Sequence, residues 1–273
     1  MLRARRAGAA FTSVLMVGRQ NLHLRDVEVE ALSSEFGLDL APEHVRPGVF
    51  ADDFLAAALG AERITSIDAS PHEGATVVHD MNRQLGAEHV QQYDAVIDGG
   101  SLEHIFDVPT ALANVMRAAR VGGRVYAVWP ANNMCGHGFF QFSPEFAYRV
   151  FDRAHGFEAE RVALVESRFL SAEVGRRRLV LDVVDPNALG KRVLRKSARS
   201  ALLMVQARKV DHLDEPFAVP PQQSDYVAGA WSTGPAPDAA TPSGAPRARA
   251  LLSGLRELAA ASRFNRAAYR RSS

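Results

Sequence analysis

Cysteine is nearly absent. Cys135 stands alone among 273 residues, which excludes an internal disulfide and fits a reducing compartment. A surplus of one charge sign is missing as well. Lys and Arg number 32 against 31 Asp and Glu, a formal net charge of +1. Composition therefore gives no reason to expect nucleic acid as a bulk partner. No apolar run reaches the roughly 18 residues of a membrane-spanning helix. The basic start, Met1-Leu-Arg-Ala-Arg-Arg6, precedes an apolar stretch, but Gly-Arg-Gln-Asn follows Val17 where a signal peptide would carry a small-residue cleavage site. Gly-x-Gly-x-x-Gly is lacking after the first apolar strand, which argues against a nicotinamide-dependent oxidoreductase. No internal repeat is found.

What is present supports a large core. Hydrophobic residues make up 47% of the chain, and the length suits one domain of roughly 200 residues with extensions. Strand and helix signals alternate. Ser13–Val17 is a short continuous apolar run, as in a strand covered on both faces. Asp26 is placed to cap a helix through Phe36, closed by Gly37; a second helix runs from Asp52 to Leu59 and closes at Gly60. Further strands are expected at Ile64–Ile67, Thr76–His79, Tyr93–Ile97 and Arg124–Trp129. Asp107 caps a helix with Leu112, Val115, Met116 and Ala119 on one face, stopped by Gly122-Gly123. Ser143-Pro144-Glu145 opens another helix. Phe157–Val165, Leu179–Val184 and Ala201–Val210 supply the remaining strands. Such alternation predicts a parallel α/β sheet with ligands at the carboxyl ends of its strands.

Three polar positions fall at successive strand ends: Gly18, Asp68 and Asp80. A glycine turn lets backbone approach a ligand, and an acid after the second strand can accept from ribose hydroxyls. A polar residue after the third can meet an adenine. The segment 93–130 adds Tyr-Asp-Ala-Val-Ile-Asp-Gly-Gly-Ser-Leu-Glu-His, a capped helix, and Val-Gly-Gly-Arg-Val-Tyr-Ala-Val-Trp-Pro.

On these residues the chain resembles the class I S-adenosylmethionine-dependent methyltransferase family, over roughly residues 12–210. The resemblance implies a Rossmann-like, doubly wound, mostly parallel seven-stranded sheet. It also implies S-adenosyl-L-methionine as cofactor, with Gly18 and Gln20 near the methionine moiety, Asp68 on the ribose, Asp80 and Met81 by the adenine, and Asp98 closing the site. Glu103 and His104 would face the acceptor. Two features depart from the family pattern. The first motif is Met16-Val-Gly-Arg-Gln-Asn21, with one glycine and no acid, and two helices rather than one separate Gly18 from Asp68. Arg19 would have to point away from a sulfonium cation.

The stretch after Trp129 carries Asn132, Asn133, His137 and Gln141 among phenylalanines. That mixture suits an acceptor pocket and equally suits a hydrogen-bonded turn. His104 or His137 is the candidate base for a hydroxyl acceptor. Cys135, His137 and His104 lack the spacing of a metal site, and none is expected. The reading is a cytoplasmic methyltransferase acting on a small molecule or a glycan precursor, with no specific nucleic acid. The alternative is a non-catalytic protein of the same fold that has lost the cofactor and serves as a binding or scaffold partner.

The ends differ in composition. Residues 1–11 read as a disordered basic lead-in, and 211–273 as a Pro/Ala-rich disordered linker followed by a basic helix. That helix could touch an anionic membrane or a partner.

Overall fold

A computed structural model describes residues 1–41, 44–45, 48–167, 178–227 and 269–271. One sheet organises them. Its strands are β1 (Ser13–Val17), β2 (Arg63–Asp68), β3 (Val77–Val78), β4 (Tyr93–Asp98), β5 (Ala119–Asn132), β6 (Phe157–Ser167), β7 (Arg178–Val183), β8 (Ala201–Lys209) and β9 (Tyr269–Arg271). Their spatial order is β3-β2-β1-β4-β5-β8-β6-β7-β9. β1 to β5 pair in parallel, whereas β8 is antiparallel to both β5 and β6. The described sheet thus has nine strands rather than the expected seven. The eight strands read from the sequence all form, with β7 returning along β6; the ninth, β9, comes from the far end of the chain and pairs with β7.

Both faces of the parallel half are covered, which is why β1 reads as an unbroken apolar run. Successive strand residues point to opposite faces. Leu15 and Val17 share a core with Leu112, Val115 and Met116 of α4 (Val108–Ala118) and with Val150 of α5 (Pro144–Val150). Val14 and Met16 pack on the other side against Ala4 of α1 (Leu2–Arg6) and Leu55 and Leu59 of α3 (Asp52–Leu59). The doubly wound arrangement is therefore present.

The helices start as their sequences direct. Asp107 accepts from the Thr110 N–H ahead of α4, and Ser143 from the Phe146 N–H ahead of α5. At α2 (Asp26–Phe36) the cap position is Arg25, not Asp26; Glu28 reaches back to accept from the Arg25 N–H. α2 buries no residue, while α3 packs on the sheet and leads into β2. The long interval between Gly18 and Asp68 thus holds a crossover helix, α3, preceded by a peripheral one.

The ends take more part in packing than composition suggested. Residues 1–11 hold α1, with Ala4 and Phe11 buried. Beyond position 210, Phe217 packs on the main core, Val219 O lies 3.1 Å from His155 Nε2, and buried Ser224 donates through Oγ to Glu145 at 2.5 Å. Of the expected C-terminal helix, Tyr269–Arg271 form strand β9; the rest lies outside the described residues. Among the described residues no helix is long and apolar enough to cross a membrane.

Candidate functional site

The sheet order changes direction between β1 and β4: the chain runs outward through β2 and β3, then returns to the other side of β1. An open α/β sheet binds ligands at this switch point, outside the carboxyl ends of its strands. Gly18 ends β1 with φ +69°, the left-handed region that favours glycine. Its N–H donates to the Ile67 carbonyl at 2.7 Å, which sets it beside the end of β2. A Cβ on Gly18 would stand 2.7 Å from Ser101 Oγ. Ser101 in turn donates to the Val17 carbonyl at 2.7 Å and ties the β4 loop to the end of β1.

Gln20 lies across this crevice. Its Nε2 donates to the Val17 carbonyl at 2.6 Å and is 3.4 Å from Ser101 Oγ, and a Cβ on Gly99 would collide with its carboxamide. Arg19 does turn away: it pairs with Asp52 at 3.2 Å, donates to the Glu73 carbonyl at 3.0 Å and stacks on Phe50. After Arg19 the chain runs extended, with Asn21 bridged to Phe50, so no helix follows the glycine turn directly.

Asp68, half-buried at the end of β2, accepts from the Ser70 N–H at 2.9 Å. Asp80 is exposed. Its Oδ1 accepts from Asn82 Nδ2 at 2.7 Å and from the Asn82 N–H at 3.0 Å, which holds its carboxyl below the usual range. Met81, expected beside an adenine, is buried in the main core instead, because the turn that exposes Asp80 sends the next side chain inward.

The end of β4 is different in kind. Asp98 is 1% exposed. Trp129 Nε1 donates to its Oδ2 at 2.6 Å, and the Ser101 and Gly100 N–H groups donate to its Oδ1 at 2.8 and 3.3 Å. Burial pushes its carboxyl up to about 6, against the pull of these donors. Glu103, also 1% exposed, lies 3.1 Å through Oε1 from His137 Nε2 and 3.9 Å from His104 Nε2. The two imidazoles meet edge to face at 5.1 Å. Burial, then the neighbouring His137, lowers the His104 pKa.

Two loops make this cluster. Leu102–His104 is a single tight turn after β4, and residues 133–142 follow β5. They are clasped by the Phe139 N–H donating to the Glu103 carbonyl at 2.7 Å. The structure thus brings Glu103, His104 and His137 together. The amides here have structural partners: Asn132, at the end of β5, and Asn133 donate to the Ser197 carbonyl ahead of β8 at 3.3 and 2.8 Å, and Gln141 accepts from the Met134 N–H at 3.1 Å. Phe106 and Phe139, 74% and 68% exposed, stand edge to face at 6.1 Å nearby. Sequence reasoning missed Ser101 and Trp129. The signal for Ser101 was its position directly after Gly99-Gly100; the Trp129 partner is set only by register, Asp98 lying opposite Ala127.

No family model matches the chain, and no curated protein does. Solved structures of similar shape exist. The 1,6-didemethyltoxoflavin-N1-methyltransferase of Burkholderia thailandensis is 17% identical over 77% of this chain and 75% of its own, with a TM-score of 0.37. The N-methyltransferase NodS of Bradyrhizobium japonicum is 13% identical over 77% and 92%, TM-score 0.37. The 16S rRNA (adenine(1408)-N(1))-methyltransferase of Catenulisporales acidiphilia is 13% identical over 76% and 90%, TM-score 0.39. At such scores these likenesses carry no argument, and the chain's own strand order defines its architecture, a Rossmann-like α/β fold.

Proposed function

We propose that the chain is an S-adenosylmethionine-dependent methyltransferase whose acceptor is a small molecule or a glycan precursor. The observation that carries the reading is the crevice between β1 and β4, where a left-handed glycine turn adjoins a strand-end acid, Asp68. On this reading Asp68 takes the ribose end of the cofactor, and Asp80 with Asn82 the adenine end; the strand-end position of Asp68 supports it. Binding of the methionine end would require Gln20 to give up its bond to the Val17 carbonyl. When bound, the cofactor supplies a sulfonium methyl group. The protein's part is then positioning. Asp98 holds the β4 loop in shape, and the Phe106–Phe139 pair offers an apolar wall to the acceptor. For a hydroxyl acceptor, the cluster of His104, Glu103 and His137 takes charge of the proton. Within it His137 is the better-supported base, since Glu103 sits close enough to orient its ring.

One observation favours a second reading, a binding or scaffold protein without cofactor: the Gln20 carboxamide bridges the crevice through hydrogen bonds of its own. Calorimetry with S-adenosylmethionine, S-adenosylhomocysteine and NAD separates the two. The methyltransferase reading expects the first two ligands to bind and NAD not to bind. It also expects Asp68→Ala to weaken binding by about 1–3 kcal/mol through unpaired ribose hydroxyls. Unchanged affinity in that variant removes Asp68 from the ribose. Absence of binding in both the wild type and Gln20→Ala leaves the scaffold reading.

A further inference from the structure

We propose that Glu103, His104 and His137 bind one divalent transition-metal ion of the zinc type. Each offers a single ligand atom, and the three atoms lie within 4.8 Å of one another. Two separations are 3.1 and 3.9 Å, both from Glu103 Oε1. A tetrahedral ion with ligands at about 2.0–2.1 Å sets neighbouring ligand atoms about 3.3 Å apart, so the cluster stands near that geometry before any ion enters. Three protein ligands with one position left for an oxygen of water or acceptor is the composition of a catalytic rather than a structural zinc site.

The setting favours the ion. The ligand loops are clasped through Phe139 N–H and Glu103 O, and Glu103 is packed between two glycines: a Cβ on Gly100 would lie 3.1 Å from its Oε1, and one on Gly138 2.8 Å from its Cγ. Little reorganisation is therefore needed on binding. Two imidazoles among three ligands select zinc, iron, cobalt or nickel; magnesium prefers an all-oxygen octahedron. Binding of the ion does not depend on the methyl-donor reading. Only its consequence for an acceptor oxygen rests there: with the ion in place, His104 and His137 serve as its ligands, and the proton passes from an oxygen held at the open position rather than to an imidazole base.

The test uses the full chain stripped with chelator and titrated calorimetrically with Zn2+ and, separately, Mg2+. Co2+ absorption reports the coordination geometry. One Zn2+ should bind per chain, far more tightly than Mg2+, and should raise the melting temperature, since a ligand of the folded state stabilises it. The imidazoles of His104 and His137 are solvent-accessible at one edge, so His104→Ala and His137→Ala should fold. Each should weaken Zn2+ by about 10²-fold or more, as losing even an outer partner of a ligand costs 10–100-fold. Cys135→Ser and His72→Ala should bind as the wild type does. Absence of saturable Zn2+ binding, undiminished affinity in either histidine variant, or loss in Cys135→Ser overturns the proposal. No methyl donor is present in these measurements, so their failure and that of the cofactor titration are distinguishable.

Discussion

Asp68 and Asp80, at the ends of β2 and β3, engage the turns of their own loops, one half-buried and the other exposed. Asp98 and Glu103, after β4, are each 1% exposed and reach across to residues of β5 and its loop. The same architecture therefore builds two unlike rims. Over β1–β3 the polar groups are local, solvated and separable. Over β4–β5 they are buried, shared between loops and dependent on packing. A ligand can remodel the first rim cheaply. The second is preorganised, and a change there propagates into stability.

The largest break in this comparison is Trp129→Ala. Trp129 packs on Phe142 and Phe151 and holds Asp98. Removing it should cost about 3–5 kcal/mol in urea unfolding for the lost aromatic volume. Trp129→Phe keeps most of the ring and loses only the N–H, and should cost about 1–3 kcal/mol. If Trp129→Phe unfolds like the wild type, the hydrogen bond to Asp98 carries no weight.

Next comes pH. A carboxyl raised in the folded state to about 6 binds its proton more tightly there than in the unfolded chain. Its contribution to stability is complete below about pH 4 and falls as pH rises towards 6, by on the order of 3 kcal/mol. The indole N–H resonance of Trp129, which donates to this carboxylate, should shift with a midpoint near pH 6. A flat resonance from pH 4 to 8 would place the ionisation elsewhere.

His137→Gln sharpens the contrast in function. On the proposed methyltransferase reading, turnover should drop by about 10²-fold while S-adenosylmethionine affinity stays within a factor of about two, because His137, as base or as ligand of the ion, would act on the acceptor side alone. Equal losses in both would mean that the rims are coupled. The smallest effect belongs to the other rim: Asp80→Asn should leave the melting temperature unchanged, since the carboxylate is exposed and bonded only to Asn82. A clear loss of stability there would contradict the separable character of that rim.

How far the sequence foretold these rims follows the same division. Ser13–Val17, Asp26–Phe36 and Asp52–Leu59 form as expected, because apolar runs, first-turn acids and closing glycines act locally. The positions of Gly18, Asp68 and Asp98 at strand ends were legible for that reason. Met81 was not, since the direction of a side chain depends on the turn that carries it. That the loops after β4 and β5 share the acceptor side was legible, since neighbouring parallel strands end at one edge; that Glu103 joins His104 and His137 was not, because motif spacings describe ligands on one element, whereas these come from two loops joined by a backbone hydrogen bond. Likewise β9 is invisible locally, because its partner β7 lies far away in sequence.

That remote pairing has a bearing on solubility. A sheet edge presents unpaired N–H and C=O groups, a template for other chains, and short edges blunt it. Here one edge is the two-residue β3 and the other the three-residue β9. Without Tyr269–Arg271, the outer rim of β7 from Leu181 to Val183 would lie bare, with Leu181 and Val183 supplying apolar side chains for a β-zipper. A chain cut before Tyr269 should accordingly show its defect first as concentration-dependent self-association in light scattering, with the fold of each molecule intact.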